Sequence, residues 1–332
     1  MTDVVAQAGA RPARETCPAR VTRPARVLLT GWFSFLHGEV TAGDMLAAEA
    51  VRDTLRAASI PHETAWSPVF RPGALCLEDA DPEQYTHVVF TCGPLHSHPA
   101  PDGGPSPLLG LHDRFARCRR IAVGVSVPDP ADPAVTRFDD LLPRDTAGRA
   151  QPAGDLSVHA PLPAPVPVLG VIQTQGQHEY GSRRRHGEVA RSLDRWLGTL
   201  EAARLPLDTR LDSRDWRLPA TPGQLHSVLS RLDAVVTTRL HGLVLALRAG
   251  VPALAVDPVA GGAKVRAQAT ALGWPAVLPY EAVRPASLDR LLAWCLSPEG
   301  RQRAADAAAR TDGVRPPGED GLLPGLLRRL GH

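Results

Sequence analysis

The sequence predicts an α/β protein made of two units, each built on a parallel sheet. Short apolar runs that end in turn residues alternate with amphipathic stretches, which is the pattern of βαβ units. A Pro- and Asp-rich stretch of weak periodicity separates two such series. The length of 332 residues also suits two domains of ordinary size.

Composition argues against several functional classes. The formal net charge is only +2, so the chain lacks the strong positive field of proteins that bind nucleic acid or anionic lipid. The five cysteines are scattered without a Cys-x-x-Cys pair, which argues against structural zinc and against a disulfide framework. We predict no metal site, no signal peptide, no transmembrane helix and a cytoplasmic location.

The first domain is predicted over residues 26–130, after a disordered tail over 1–25. Its first strand lies in RVLLTGWF, an apolar run that ends in a glycine turn. The stretch AGDMLAAEAVRDTLRAASIP has helical spacing and ends at Pro61. THVVFTCGP and RRIAVGVSVP are two further buried strands with a helix between them. This alternation predicts a parallel sheet covered on both faces.

A Pro-rich linker is predicted over 131–166, followed by the second domain over 167–310 and a C-terminal tail over 311–332. PVLGVIQTQG opens the second domain as a strand, and GEVARSLDRWLGTLEAA is an amphipathic helix. LPLDTRLD is a short strand. The next segment, LDAVVTTRLHGLVLALRAGVPALAVDPVAGGAKVRAQATALG, alternates strand, helix, strand and helix. The first of these helices is predicted over 240–249, because Gly250 follows it as a C-cap.

The motif TTRLHG contains the first candidate functional residues. Thr238 is predicted to cap the helix, which places Arg239, Leu240 and His241 in its first turn. Free N–H groups at a helix start attract anions, whereas an arginine there opposes the helix dipole. A bound anion would explain the arginine. The alternative is that Arg239 pairs with a carboxylate and that His241 is a core histidine with its hydrogen bonds satisfied.

The stretch DPVAGGAK repeats this layout after the next strand. Gly261 and Gly262 allow backbone N–H groups to approach a ligand closely, and Lys264, the only lysine in the chain, starts the next helix. Val265 stands where a Walker A loop requires Ser or Thr. The alternative is an ordinary strand–helix turn with an exposed lysine.

A run of arginines follows the first strand of the second domain. In GSRRRHGE, Arg183 and Arg185 lie at the same carboxyl edge as the two motifs above. Up to three basic clusters therefore converge on one site, although a charge run is also typical of a solvated surface.

In the first domain, HGEVTAGDM lies between the first strand and the first helix. His37, Glu39 and Asp44 are the candidate acids or bases there, and Asp44 alternatively is a helix-start residue. The sequence contains no G-x-S-x-G, H-E-x-x-H or G-x-G-x-x-G motif, which argues against serine hydrolase, zinc protease and NAD-dependent classes.

These residues carry a resemblance to a known family. TTRLHGLVLALRAGVPALAVDPVAGGAKVRAQATALGWP resembles the C-terminal signature of the polysaccharide pyruvyl transferase family, which has an Arg-Leu-His motif, an apolar helix, a Gly-Val-Pro turn and a strand ending near a lysine. The resemblance is specific over 232–275 and fainter over 168–200 and 26–58. The family commonly has Asn-x-Gly-Asp after its first strand, where this chain has Thr41-Ala42-Gly43-Asp44.

The resemblance implies two Rossmann-like domains that face each other across a cleft, in a GT-B-like arrangement. It implies phosphoenolpyruvate as the donor substrate, no cofactor, and a saccharide or lipid-linked saccharide as the acceptor, whose hydroxyl pair becomes a pyruvate ketal. Arg239, Leu240 and His241 would form the donor site by motif. The positions of the other basic and glycine motifs add Arg183, Arg185, Gly261, Gly262 and Lys264 to it.

Asp44 or Glu39 would be the acceptor-side base. One alternative is a GT-B glycosyltransferase that uses a nucleotide sugar, with Asp257 binding a ribose. Another is a sugar-phosphate-binding relative without catalytic activity.

Overall fold

The computed structural model describes residues 24–148, 151–174, 176–312 and 322–330. The chain divides into two compact units, Met1–Pro163 and Ala164–His332. The predicted disordered tail over 1–25 lies, except for its last two residues, outside the described residues.

The first unit is built on a five-stranded sheet in which every pair of neighbouring strands is parallel. Its order is β2-β1-β3-β4-β5, and its strands are β1 Val27–Thr30, β2 His62–Thr64, β3 His87–Thr91, β4 Arg119–Val127 and β5 Asp140–Thr146. Its helices are α1 Ala42–Ala57, α2 Pro107–Arg114 and α3 Pro133–Thr136. Short 3-10 helices occupy Trp32–Ser34, Pro82–Gln84 and Leu156–His159.

The structure corrects the predicted linker over 131–166. Residues as far as 163 belong to the first unit, and β5 pairs with β4 as an edge strand of its sheet. Proline content misled the sequence prediction because Pro133 stands at the first turn of α3, after Asp132 as cap, a position that proline favours. Pro143 lies on an edge strand beside a register irregularity, where a missing N–H is tolerated.

The second unit also has a five-stranded parallel sheet, in the order β10-β9-β8-β6-β7. Its strands are β6 Val168–Ile172, β7 Ala203–Pro206, β8 Ala234–Thr237, β9 Ala253–Asp257 and β10 Val277–Pro279. Its helices are α4 His186–Leu197, α5 Pro222–Leu229, α6 Leu240–Arg248, α7 Lys264–Ala271, α8 Pro285–Leu296, α9 Pro298–Asp312 and α10 Leu322–Arg329. Two 3-10 helices lie at His178–Arg183 and Tyr280–Ala282.

The prediction of two Rossmann-like α/β domains is confirmed by these two sheets. The core of the second unit consists mainly of Leu, Val and Ala from the central strands and from α4 and α6, because strands covered on both faces are apolar throughout. That the domains face each other in a GT-B-like manner stays a prediction. Within the described ranges, none of the helices combines the length and apolar character needed to cross a bilayer.

One element boundary bears directly on the functional site. The strand predicted as LPLDTRLD is shorter than expected and begins earlier. The observed strand, β7, starts before Leu205 and ends at Pro206. The last backbone contact of this strand with β6 is the hydrogen bond from Leu207 N to Val171 O, at 2.9 Å. Asp208 therefore lies just beyond the strand, at the carboxyl edge of the sheet.

Candidate functional site

The candidate site lies at the carboxyl edge of the second sheet. Since its strands are parallel, the segments after β6, β7, β8 and β9 all emerge at this edge, where ligands of open α/β sheets bind. β8 lies between β9 and β6. The residue that follows β8, in the motif TTRLHG, is therefore at the middle of the edge.

Arg239, not Thr238, occupies the N-cap position of α6. Thr237 Oγ1 accepts a hydrogen bond from Arg239 N at 2.9 Å and donates to Ile172 O at 3.0 Å. Thr238 is buried, and its hydroxyl accepts from Thr174 N at 2.8 Å. The two threonines thus join the ends of β6 and β8 and fix the backbone from which the Arg239 side chain extends.

Arg239 forms an ion pair with Asp208, a residue that the sequence analysis did not single out. Arg239 Nη1 donates to Asp208 Oδ1, and Arg210 Nε donates to Asp208 Oδ2 at 2.6 Å. Burial alone would raise the pKa of Asp208, but hydrogen bonds from Arg210 and the charge of Arg239 hold it below its ordinary value. The predicted carboxylate partner of Arg239 is thus present, and it fixes the guanidinium in one orientation.

His241 is exposed in the first turn of α6. Within the described ranges its ring has no hydrogen-bonding partner, so the alternative of a satisfied core histidine is wrong. Among the described residues no side chain caps α6, which leaves its start open to an anion. Gly242 packs so closely on β8 that an added Cβ would lie 2.2 Å from Thr237 Oγ1.

The next helix, α7, differs because it already has a bound carboxylate at its start. Asp257 is fully buried, and its carboxylate accepts from Val259 N, Ala263 N and Arg266 N at 2.7–3.1 Å. These three donors occupy both oxygens of Asp257, which leaves no carboxylate oxygen exposed for the ribose contact considered above.

The Gly-Gly turn is also satisfied within its own loop. Gly261 and Gly262 have φ of 78° and 83°, a left-handed conformation that glycine adopts without strain. Gly262 N donates to Val259 O at 2.9 Å. The glycines therefore shape the turn before Lys264, while the backbone donors of Gly262 and Ala263 are already engaged.

We predict that Asp257→Asn lowers the free energy of unfolding by about 2–4 kcal/mol, because an amide presents one acceptor and one donor group to three N–H donors. Chemical denaturation measures this change. Asp113→Asn is the matched control, because Asp113 lies in an exposed ion pair with Arg137 and is expected to change stability by less than about 1 kcal/mol. Equal effects of the two substitutions would contradict the capping role.

The structure brings together the arginine run, residues 183–185, and the loop before Lys264, residues 258–263, which we call the lysine loop. Arg185 N donates to Pro258 O and Ala260 N donates to Arg183 O, both at 2.9 Å. Lys264 Nζ lies 3.6 Å from Glu179 Oε1. Lys264 Nζ and Arg183 Cζ each lie 5.7 Å from the centre of the Tyr180 ring.

Arg185 is held differently from its neighbours. Its Nη1 donates to Ser182 O at 2.8 Å and to Arg184 O at 2.9 Å, and its guanidinium lies 5.6 Å from the Tyr280 ring. Two of the three predicted basic clusters therefore share one location after β6 and β9. Arg239, after β8, is oriented toward Asp208 after β7.

His186 is a second residue that the sequence analysis missed. It is buried at the start of α4, its Nε2 lies 2.9 Å from Gln177 Oε1, and its Nδ1 has no hydrogen-bonding partner in the described part of the chain. Burial lowers its pKa, and the charges of Arg184 and Lys264 add to the effect. Its place after the arginine run was the only sequence signal, since burial of a helix-start histidine depends on tertiary packing.

In the first unit, the candidate acids and bases line one cavity of about 720 Å³. Asp44 is bound in a capping box: its Oδ2 accepts from Thr41 N at 3.0 Å and from Thr41 Oγ1 at 2.8 Å. His37 Nε2 lies 3.6 Å from Asp102 Oδ2, and Glu39 also lines the cavity. Thr41 serves as N-cap of α1, and asparagine is also a preferred residue at that position.

Comparison with solved structures finds proteins of very low similarity. The spinosyn forosaminyltransferase SpnP is 16% identical, with 93% of this chain and 100% of that chain covered and a TM-score of 0.32. SnogD from Streptomyces nogalater, a glycosyltransferase, is 16% identical, with 88% and 96% covered and a TM-score of 0.29. MurG from Acinetobacter baumannii is 12% identical, with 86% and 94% covered and a TM-score of 0.27.

Sequence comparison is more specific over one segment. No curated protein sequence matches the chain significantly. A sequence model of the polysaccharide pyruvyl transferase family matches residues 201–258 of this chain, a segment that includes Asp208, Arg239 and His241. This match confirms the resemblance drawn from TTRLHG.

Proposed function

We propose that the protein is a pyruvyl transferase that moves the pyruvyl group of phosphoenolpyruvate onto a pair of saccharide hydroxyls. The observation that carries this proposal is the start of α6. There Arg239, fixed by Asp208, and the exposed His241 flank a helix N-terminus without a side-chain cap. This arrangement lies within the segment that matches the family.

Phosphoenolpyruvate suits such a site because it carries a phosphate and a carboxylate. Asp208 is the one side-chain partner of Arg239 among the described residues, and it takes only the Nη1 group. A guanidinium has five N–H donors, so the fork of Arg239 retains donors for an anionic oxygen. Lys264 and Arg183, whose cationic groups both lie near the ring of Tyr180, supply the further cations of the proposed donor site.

The proposed reaction transfers one proton to C3 of phosphoenolpyruvate and joins two sugar oxygens to C2. An acid protonates C3 of phosphoenolpyruvate, which turns the methylene into a methyl group and leaves an oxocarbenium-like centre at C2. One sugar hydroxyl attacks C2 and loses its proton to a base. Phosphate then leaves, the second hydroxyl attacks C2 and loses its proton, and the products are a cyclic ketal and inorganic phosphate.

His241 is the proposed acid. Its exposed ring in the first turn of α6 is accessible to a donor bound at the start of this helix. Asp44 or Glu39 is the proposed base on the acceptor side, and for Asp44 the capping hydrogen bonds at Oδ2 leave Oδ1 as the oxygen available for this role.

The first test is donor binding followed by thermal unfolding. Phosphoenolpyruvate at about 100 times its dissociation constant stabilises the native state by about 2.7 kcal/mol, which is a shift of about 4 °C for a chain of this size. UDP at the same concentration is expected to give no shift. A shift with UDP and none with phosphoenolpyruvate would instead support the nucleotide-sugar alternative.

The second test is turnover, followed as phosphate released in the presence of a panel of saccharides. We predict that His241→Gln lowers turnover by about 10²–10⁴-fold, the usual contribution of a general acid, while donor binding persists in the thermal assay. His226→Gln, at an exposed histidine on α5, is the control with unchanged turnover. Near-normal turnover by His241→Gln would remove the acid role from His241.

A further inference from the structure

The cavity in the first unit has the size and the walls of a site for a small amphipathic molecule. Its volume of about 720 Å³ lies within the range of about 300–1,000 Å³ that holds drug-sized ligands. It is formed at the carboxyl edge of the first sheet, by the segments after β1, β2 and β3 and by α2.

One wall of the cavity is aromatic and held rigidly. The Trp32 ring stacks on His96 with centroids 4.7 Å apart and contacts Phe35 at 5.4 Å. Trp32 Nε1 donates to Pro94 O at 2.9 Å. Because the indole is fixed by both contacts and a hydrogen bond, this wall presents a preformed apolar surface rather than a mobile one.

The rest of the lining is mainly aliphatic. Leucine and proline side chains from four segments form most of it: Leu36, Leu77, Pro99, Pro101, Pro107 and Leu111. Leu36 is half exposed although it is apolar. An apolar concave surface of this extent, left open to water, is typical of a ligand site.

The polar groups of the cavity are few, and most come from one segment. His37, Glu39, Thr41 and Asp44 all follow β1. Glu78, His96 and Arg114 line the cavity as well, and Arg114 Nη2 donates to Glu78 O at 2.8 Å and to Ala80 O at 2.9 Å. The segment 37–44 therefore provides the largest set of neighbouring polar groups for binding ligand hydroxyls.

We infer that this cavity binds a glycoside whose sugar carries an apolar, ring-containing aglycone. The sugar hydroxyls would contact the polar segment 37–44, and the aglycone would lie against Trp32 and the leucine and proline side chains. A purely polar oligosaccharide fits less well, because burying its hydroxyls against aliphatic side chains leaves them without partners. That this glycoside is the acceptor rests on the proposed function; its binding to the cavity does not.

The test compares two glycosides with the same sugar by calorimetric titration. 4-Methylumbelliferyl β-D-galactopyranoside carries an aromatic aglycone, and methyl β-D-galactopyranoside does not. We expect the aryl glycoside to bind at least about tenfold more tightly, since an aromatic ring buries a large apolar area. Equal affinities, or no binding of either glycoside, would overturn the inference.

A cavity-filling variant links this binding to the site. Gly110 lies in α2 and lines the cavity, and an added Cβ would meet no heavy atom within 4 Å. Gly110→Leu is therefore expected to fold normally, with a helix preference more favourable by about 0.5–1 kcal/mol, while it fills part of the cavity. We expect affinity for the aryl glycoside to fall at least about tenfold.

Gly223→Leu, on the exposed start of α5 in the second unit, is the matched control and is expected to leave aryl glycoside binding unchanged. Unaltered binding by Gly110→Leu would place the glycoside elsewhere. If phosphoenolpyruvate gives no thermal shift but Gly110→Leu blocks the aryl glycoside, the proposed function fails and the cavity assignment stands. The reverse pattern removes the cavity assignment and leaves the donor site intact.

Discussion

Replacing Arg239 by lysine is expected to lower kcat/KM for phosphoenolpyruvate by about 10²–10³-fold, or about 2.7–4 kcal/mol of transition-state stabilisation. Lysine keeps the positive charge but has no planar fork to bind two anionic oxygens. It also loses the orientation that the ion pair with Asp208 gives to the guanidinium. Steady-state phosphate release measures the change.

Arg248→Lys is the matched control for this substitution. Arg248 lies in the last turn of the same helix and is exposed, so the same chemical change there is expected to leave kcat/KM within about twofold, since exposed substitutions away from a site have small effects. If the two variants turn over at the same rate, Arg239 binds only Asp208 and the donor site lies elsewhere on the chain.

Gly242→Ala is expected to lower the free energy of unfolding by about 3 kcal/mol, within the range for an overpacked core with a lost hydrogen bond. The added Cβ would lie 2.2 Å from Thr237 Oγ1 and 3.3 Å from Ile172 Cγ2. To relieve these clashes, α6 must move away from β8. The hydrogen bond from Arg239 N to Thr237 Oγ1 is then lost.

Chemical denaturation of Gly242→Ala and Gly223→Ala separates crowding from helix preference. Gly223 also lies in the first turn of a helix, but a Cβ there would meet only Thr221 Oγ1, at 3.9 Å. Its replacement by alanine is expected to be neutral or stabilising by up to about 1 kcal/mol. A Gly242→Ala protein as stable as the wild type would show that α6 has room to shift, and that Gly242 does not fix the position of Arg239.

The hydrophobic periodicity of the sequence was sufficient to predict the central strands and helices, but it did not predict the elements in the segments rich in proline. The apolar runs of β1, β6, β8 and β9 and the amphipathic face of α4 are visible in the sequence because burial on both sides of a sheet selects Leu, Val and Ala. The edge strand β5 was hidden because it is half exposed and contains Pro143. Its identity depends on pairing with β4, which no local pattern records.

The functional residues divide in the same way. Arg239, His241 and Lys264 could be selected from the sequence, because each stands where a strand ends and a helix starts. Their partners could not, since Asp208 and Glu179 are separated from them by 31 and 85 positions. The sequence also did not determine which of the two helices, α6 or α7, begins without a side-chain cap. From the sequence, Asp257 could equally be a ligand-binding residue or the buried cap of α7.

The sequence by itself determined the two parallel α/β units, the strand ends that carry cations and the family resemblance at TTRLHG. These features follow from the local sequence, since hydrophobic periodicity and turn residues can be recognised within short stretches of consecutive residues. Only the tertiary structure decided that Asp208 orients Arg239, that the lysine loop packs on the arginine run, and that an aromatic-walled cavity lies beside Asp44. Each of these depends on strand order, because the order of a parallel sheet brings together loops that are far apart in the chain.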